Sequence, residues 1–210
     1  MVSLMTDDDN GLYIPIASQN VHYEKSGAYT GELSLDMLME YGVQYVIIGH
    51  SERRHIFGET NEIIAKRVKG VIEEGLCAIL CVGETLEQRE KGITFLVVEE
   101  QLKEGLKYIN DKITEKNLII AYEPVWAIGT GKTATPEQAE EVHVFIREIL
   151  SKLFGKDLSE KIRIIYGGSV KPDNIKELIS QPNIDGVLVG GASLNPKSFF
   201  EICNVSLVKK

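Results

Sequence analysis

Short apolar runs separated by helical segments constrain the fold of this chain more than any other feature of its sequence. We predict six buried strands, at residues 14–18, 45–49, 77–82, 118–123, 163–167 and 186–190. The segments between them carry apolar residues at helical spacing, as at Ile64, Val68 and Val71. The runs lack the in–out alternation of antiparallel strands. The pattern therefore predicts a parallel α/β fold, either an open doubly wound sheet or a barrel.

Size and composition are typical of one globular domain, which we predict to span residues 1–210. Hydrophobic residues make up 43% and charged residues 26% of the 210 positions. The net charge of −8 argues against a nucleic-acid partner, because the basic surface that binds phosphate backbones is missing. The sequence contains no apolar stretch as long as a membrane span and opens without a signal peptide. The three cysteines lack framework spacing, which indicates a reducing, cytoplasmic compartment.

The most specific motif of the chain is AYEPVWAIGTGKTA, at residues 121–134. The apolar run before it ends on a carboxylate, Glu123, and Pro124 then stops the strand because it has no N–H to donate. The apolar residues and glycines that follow, Gly129 among them, predict a mobile lid that closes over a small ligand. Taken alone, Glu123 is equally well explained as a surface carboxylate in an ordinary connection.

The second predicted strand is followed by His50, Ser51 and Glu52. Working residues of parallel α/β folds gather at the carboxyl ends of strands, so a histidine here is placed to donate a hydrogen bond to a substrate carbonyl. The alternative is a structural histidine bonded to nearby backbone. Glu52 is either part of an ion-pair network with the two arginines that follow it or a secondary proton-handling group.

Glycine pairs end the last two predicted strands. Gly168–Ser169 and Gly190–Gly191 allow backbone N–H groups to approach an anion, and the Ser169 hydroxyl adds a donor. Two ordinary tight turns explain either pair alone. Together with Gly129, the two pairs predict a site for a small phosphate monoester.

These motifs resemble those of one known family, in the order in which that family carries them. Segments similar to triosephosphate isomerase are IGHSERR at residues 48–54, the 121–134 motif, YGGS at 166–169 and LVGGAS at 188–193. The resemblance implies a (β/α)8 TIM barrel, with about six of its eight strands in this chain. It implies interconversion of dihydroxyacetone phosphate and glyceraldehyde 3-phosphate, in glycolysis and gluconeogenesis, without a cofactor or a metal.

The resemblance also assigns roles to individual residues. Glu123 resembles the base that moves a proton between two carbons, and His50 resembles the neutral electrophile that polarises the carbonyl. The family's phosphate contacts correspond to Gly129, Ser169, Gly190 and Gly191. The loop of residues 19–32, from Gln19 to Glu32, resembles the one that docks into a partner subunit, which implies a homodimer.

One motif of the family is missing from the sequence. The family begins with a strand that carries Asn-x-Lys, followed by a helix and a second strand, and this chain has no match to them. The lysine is the cation that stabilises the enediolate, and losing one such group typically costs about 10²–10³ in rate. We therefore expect an N-terminally truncated member with impaired turnover. The alternatives are a non-catalytic phosphate-binding or dimerising remnant, and another phosphate-handling barrel enzyme.

Overall fold

A computed structural model describes residues 14–109, 111–128 and 133–206, and the structural statements below concern those residues. Their strands form one parallel sheet in sequence order: β1 (Ile16–Ser18), β2 (Val43–Ile48), β3 (Cys77–Val82), β4 (Leu118–Tyr122), β5 (Arg163–Tyr166) and β6 (Gly186–Val187). The helices are α1 (Leu35–Glu40), α2 (Ser51–His55), α3 (Asn61–Glu73), α4 (Leu86–Glu90), α5 (Thr94–Leu106), α6 (Pro136–Phe154), α7 (Lys156–Ser159), α8 (Ile175–Ile179) and α9 (Pro196–Ser206). Short 3-10 helices span Val125–Ala127 and Gly191–Leu194.

The two faces of the sheet pack differently. Side chains such as Val46, Leu80 and Ile120 lie in a large apolar core that they share with the helices. The alternate positions form a second, smaller cluster made of strand residues, centred on Cys81 and Ala121. A doubly wound sheet carries helices on both faces, whereas a barrel carries them on one. The one-sided packing and the unbroken β1-to-β6 order therefore place the chain with the TIM barrels.

The predicted strands are present, and the sixth is the shortest of them, with two residues. Its ladder ends at Val187, three residues short of the predicted boundary. Leu188 still donates its N–H to the Tyr166 carbonyl at 2.8 Å. The next residues turn into the 3-10 helix that begins at Gly191, so the chain leaves the sheet early.

Capping residues determine where several helices between the strands begin. Thr135 and Gln138 form a capping box at the start of α6, with Pro136 in its first turn. Thr85 and Gln88 form a second capping box ahead of α4. Within the described part of the chain, no helix is long and apolar enough to cross a membrane.

Candidate active site

Glu123 follows β4 directly and lies at the carboxyl end of the sheet. Its backbone N–H donates to the Val82 carbonyl at 2.8 Å, so the residue is still held by the neighbouring strand. The residue is only 2% exposed. One carboxylate oxygen, Oε2, accepts a hydrogen bond from the Ser51 N–H at 2.9 Å. The other, Oε1, lies 3.1 Å from Nε2 of His50.

His50 lies between the end of β2 and the start of α2, where it is the N-cap residue. Its Nδ1 accepts a hydrogen bond from the Glu52 N–H at 3.3 Å. A neutral imidazole has one donor and one acceptor nitrogen, so an accepting Nδ1 places the ring proton on Nε2. The Nε2–H is thus the donor toward Glu123, and the same atom is the one available to a substrate carbonyl.

The electrostatic setting of Glu123 suits a proton acceptor. Burial raises the pKa of its carboxyl above the ordinary value, and the neighbouring His50, the Ser51 N–H, the Cys81 thiol and the Arg54 charge partly offset that rise. The carboxylate is therefore more basic than a solvated one. Such a group takes up a proton more readily than an ordinary glutamate does.

Glycines allow the neighbouring strands to close around Glu123. A Cβ at Gly83 would overlap the Glu123 carbonyl oxygen, and one at Gly167 would lie 2.9 Å from Glu123 Cγ. A larger residue at either position would displace Glu123. The sequence predicted glycines at strand ends as residues that let a phosphate approach the backbone. Gly83 and Gly167 have a different role, because they allow close packing around the Glu123 carboxylate.

A cavity of about 770 Å³ opens at this edge of the sheet. The residues predicted from the sequence that line it are His50, Glu52, Glu123, Ser169, Gly190 and Gly191. Ser51 lies behind the cavity wall and reaches the site through its backbone N–H. The predicted contact Gly129 lies outside the described residues, as do residues 130–132. The cavity therefore brings together two groups of residues that are far apart in sequence, the His50–Glu123 pair and the two glycine turns.

Some residues that line the cavity were not predicted from the sequence to belong to the site. Gln19 and Asn20 line it from the start of the 19–32 loop, and Lys171 lines it beside Ser169. Lys171 adds a cation to the end of the cavity where the glycine turns lie. The sequence feature that could have indicated Lys171 is its position two residues after Ser169, in the loop that follows β5.

A second buried carboxylate, Glu84, supports the segment that follows Glu123. It is 0% exposed and accepts hydrogen bonds from Trp126 Nε1 at 2.8 Å, from Arg89 at 3.1 Å and from the Tyr122 hydroxyl. These contacts tie the 3-10 helix Val125–Ala127 to the ends of β3 and β4. Glu84 follows Gly83 at the end of β3, and nothing in its sequence neighbourhood indicates Trp126 as a partner.

Of the two arginines that follow Glu52, Arg53 forms an ion pair, but with Glu59 instead. Arg54 donates its hydrogen bonds to two backbone carbonyls and a side-chain amide. Arg53 Nε donates to Glu59 Oε1 at 2.7 Å, and Arg67 pairs with the same oxygen. The Glu52 side chain is 65% exposed, and one of its carboxylate oxygens lies 3.8 Å from His50 Nδ1. The structural work assigned to Glu52 therefore belongs to Glu59.

The comparisons with known proteins agree on one family. A family model described as triosephosphate isomerase matches residues 2–206. A triosephosphate isomerase of Carboxydothermus hydrogenoformans is 59% identical over 197 residues, covering 94% of this chain and 78% of that protein. One of Chlorobium phaeobacteroides is 57% identical with the same coverage. One of Fusobacterium nucleatum is 57% identical over 192 residues, with coverage of 91% and 76%.

Identity of this level over most of the chain confirms the predicted isomerase function and does not favour a non-catalytic remnant or another barrel enzyme. The matches do not support the expected N-terminal truncation, which stays a prediction from the sequence. With strand order, one-sided helix packing and sequence similarity in agreement, the chain belongs to the triosephosphate isomerase family.

Proposed function

We propose that this isomerase interconverts dihydroxyacetone phosphate and glyceraldehyde 3-phosphate with Glu123 as the base and His50 as the electrophile. The observation that carries the proposal is the 3.1 Å approach of His50 Nε2 to Glu123 Oε1 in one cavity. A base and a hydrogen-bond donor on opposite sides of a small substrate are what an α-hydroxy carbonyl needs for proton transfer between adjacent carbons.

The proton inventory of this reaction balances without any other reagent. The Glu123 carboxylate removes a proton from the hydroxymethyl carbon of dihydroxyacetone phosphate, while the Nε2–H of His50 stabilises the developing enediolate oxygen. Glu123 then returns a proton to the neighbouring carbon. The hydroxyl proton of the first carbon passes to the former carbonyl oxygen through Nε2 of His50, so that the first carbon becomes the aldehyde and the second carries the hydroxyl. A 3.1 Å contact leaves no room for a substrate atom, so binding must separate the two side chains.

The phosphate group is proposed to bind at the other end of the cavity. Ser169, Gly190 and Gly191 line that end, where backbone N–H groups and a hydroxyl are the available donors. Lys171 supplies positive charge there, which matters because the whole chain is acidic. Ser51 and Glu52 are proposed as supporting residues of Glu123 and His50. Gly129 stays a prediction from the sequence.

A homodimer through the 19–32 loop is also proposed. Arg67 binds both ends of the loop, Asn20 Oδ1 at 2.8 Å and Glu32 Oε2 at 3.8 Å. Between them, His22 stacks on Tyr29 with ring centroids 4.0 Å apart, and Tyr29 is 43% exposed. A pinned loop with an exposed aromatic tip is suited to docking into a partner. Deleting residues 27–31 should lower the dimer fraction in sedimentation experiments, and an unchanged dimer would exclude this role.

A reducing, cytoplasmic location is the remaining part of the proposal. Cys77 and Cys81 are buried thiols inside the sheet, and Cys203 is a half-buried thiol on α9. Free thiols of this kind are typical of a reducing compartment. Labelling of the cysteines in intact cells would test the location.

Deuterium exchange tests the proposed chemistry directly. Turnover of dihydroxyacetone phosphate in D₂O should place deuterium on the carbon that receives the proton, because the proton held by Glu123 exchanges with solvent. Glu123→Gln should remove both exchange and turnover, whereas Glu160→Gln, at an exposed carboxylate that caps the C-terminus of α7, should keep both. Exchange that persists in Glu123→Gln would exclude Glu123 as the base.

A further inference from the structure

We propose that Arg54 is a positioning residue for the reaction, which holds the His50 turn against β3 and places a fixed positive charge behind Glu123. The inference rests on the roles proposed above for His50 and Glu123. Arg54 is not among the residues that line the cavity, so it acts through these two groups and not on the substrate.

One guanidinium joins three separate elements behind the site. Nε of Arg54 donates to the Gly49 carbonyl at 2.8 Å, Nη2 donates to the Cys81 carbonyl at 3.0 Å, and Nη1 donates to Asn61 Oδ1 at 2.7 Å. Gly49 immediately precedes His50, Cys81 lies on β3, and Asn61 begins α3. The planar fork of arginine can serve all three acceptors at once, which the single ammonium of lysine does not reproduce.

The backbone of the turn that Arg54 binds is conformationally restricted at Gly49. Gly49 has a φ of +74°, and a Cβ there would lie 3.0 Å from Arg54 Nη2 and 3.3 Å from the Cys81 carbonyl oxygen. A positive φ and this close approach both favour glycine. The direction in which His50 leaves β2 is therefore set jointly by Gly49 and by the guanidinium that binds its carbonyl.

The charge of Arg54 also acts on Glu123. The charged or titratable groups that face the carboxylate are His50 from the β2–α2 turn, Cys81 from β3 and Arg54 from α2, joined by the Ser51 N–H. Burial lowers the pKa of Arg54, and attraction to Cys81, Glu123 and Glu59 opposes that effect. Arginine stays protonated in proteins, so this charge is permanent and favours ionised Glu123, the form that accepts a proton.

Three variants separate the two parts of the role. Arg54→Met removes the positive charge and the three hydrogen bonds of the guanidinium, which we call the clamp. Arg54→Lys keeps a charge without the planar guanidinium. The control, Arg163→Met, removes an exposed arginine at the opposite end of the sheet. Arg54→Met should lower kcat by about ten- to a hundredfold with little change in KM, since misplaced groups slow the chemistry. The acid limb of its kcat/KM profile should move up by about one pH unit.

The lysine variant should restore the acid limb but not kcat, and Arg163→Met should match the parent chain in both. Wild-type kcat in Arg54→Lys would overturn the clamp. An unchanged acid limb in Arg54→Met, or a loss confined to KM, would overturn the positioning role.

A titration that needs no turnover keeps this proposal separate from the proposed function. If the parent chain does not isomerise triose phosphates, the proposed function fails. The ¹³C resonance of the Glu123 carboxyl still tests Arg54. Its midpoint should rise in Arg54→Met and stay near the parent value in Arg54→Lys and Arg163→Met. If the methionine variant does not fold, the ¹³C shift of the Gly49 carbonyl in Arg54→Lys takes its place: an unchanged shift excludes the clamp, and an altered one supports it.

Discussion

Glu123 and Glu59 are both buried glutamates, at 2% and 8% exposure, yet their surroundings shift the pKa of the carboxyl group in opposite directions. Glu59 meets two guanidinium groups directly, from Arg53 and Arg67. Glu123 contacts an imidazole nitrogen, a backbone N–H and the Cys81 thiol, and the charge of Arg54 acts on it without an ion pair. The two guanidinium groups therefore keep Glu59 ionised, whereas Glu123 is able to accept a proton.

The pKa directions follow this difference. Burial acts to raise the pKa of Glu59, but the hydrogen bonds and charges of Arg53 and Arg67 outweigh it, so the pKa is lowered overall. For Glu123 burial prevails, and the pKa is raised. Burial alone therefore does not identify a base. What distinguishes Glu123 is burial without full compensation, at the edge of a cavity that a substrate can enter.

Turnover should separate the two carboxylates most strongly. We expect Glu123→Gln to lower kcat/KM by about 10²–10⁴-fold, because general base catalysis is lost. Glu59→Gln should keep most of its turnover when measured well below its unfolding temperature, since Glu59 is not among the residues that line the cavity. Steady-state assays of both variants, with circular dichroism to confirm folding, check this. A larger loss in Glu59→Gln than in Glu123→Gln would break the comparison.

Stability should show the reverse order. At neutral pH we expect Glu59→Gln to lower the free energy of unfolding by about 3–5 kcal/mol, because it leaves two arginines without their buried partner. Glu123→Gln should raise it by on the order of 1 kcal/mol, because an incompletely compensated buried charge is removed. Denaturant titrations measure both, and Glu160→Gln is the exposed control.

The free energies of unfolding should depend on pH in opposite directions for the two residues, because their pKa values are shifted in opposite directions. A lowered pKa stabilises above the unfolded value, so the Glu59 contribution should disappear as pH falls through its folded pKa. A raised pKa destabilises at higher pH, so the gain in Glu123→Gln should shrink as the solution becomes acidic. Equal slopes for the two variants would show that the carboxylates are not treated differently.

The smallest expected effect comes from one N–H group. Ser51 is the first residue of α2, a position that tolerates proline, and His50 before it has an extended ψ of 144°. Ser51→Pro should therefore remove the donor to Glu123 and raise its pKa further. The acid limb of kcat/KM should move up by about one pH unit or less. Ser51→Ala keeps the N–H and should not move it, and a shift in both variants would assign the effect to the hydroxyl.

The sequence predicted the parallel α/β fold and the positions of His50 and Glu123 at strand ends because those signals are local. Apolar runs marked the strands, and Pro124 marked the end of the fourth, whereas the roles of His50 and Glu123 came from the family resemblance and stay predictions. The partner of Arg53 was missed because Glu59 and Arg67 come together only through packing of α2 and α3. The supporting role of Glu84 could not be predicted for the same reason, since Trp126 and Arg89 reach it from separate segments. Pairings across elements depend on tertiary packing, which strand and helix periodicity do not encode.

The most direct measurement is a ¹³C NMR titration of the Glu123 and Glu59 carboxyl groups in one sample, assigned with the two glutamine variants. The account predicts that Glu123 titrates above the ordinary glutamate range and Glu59 below it. The same order should hold after Ser51→Pro, with a wider separation. A Glu123 midpoint at or below that of Glu59 would contradict the claim that this carboxylate is held ready to accept a proton.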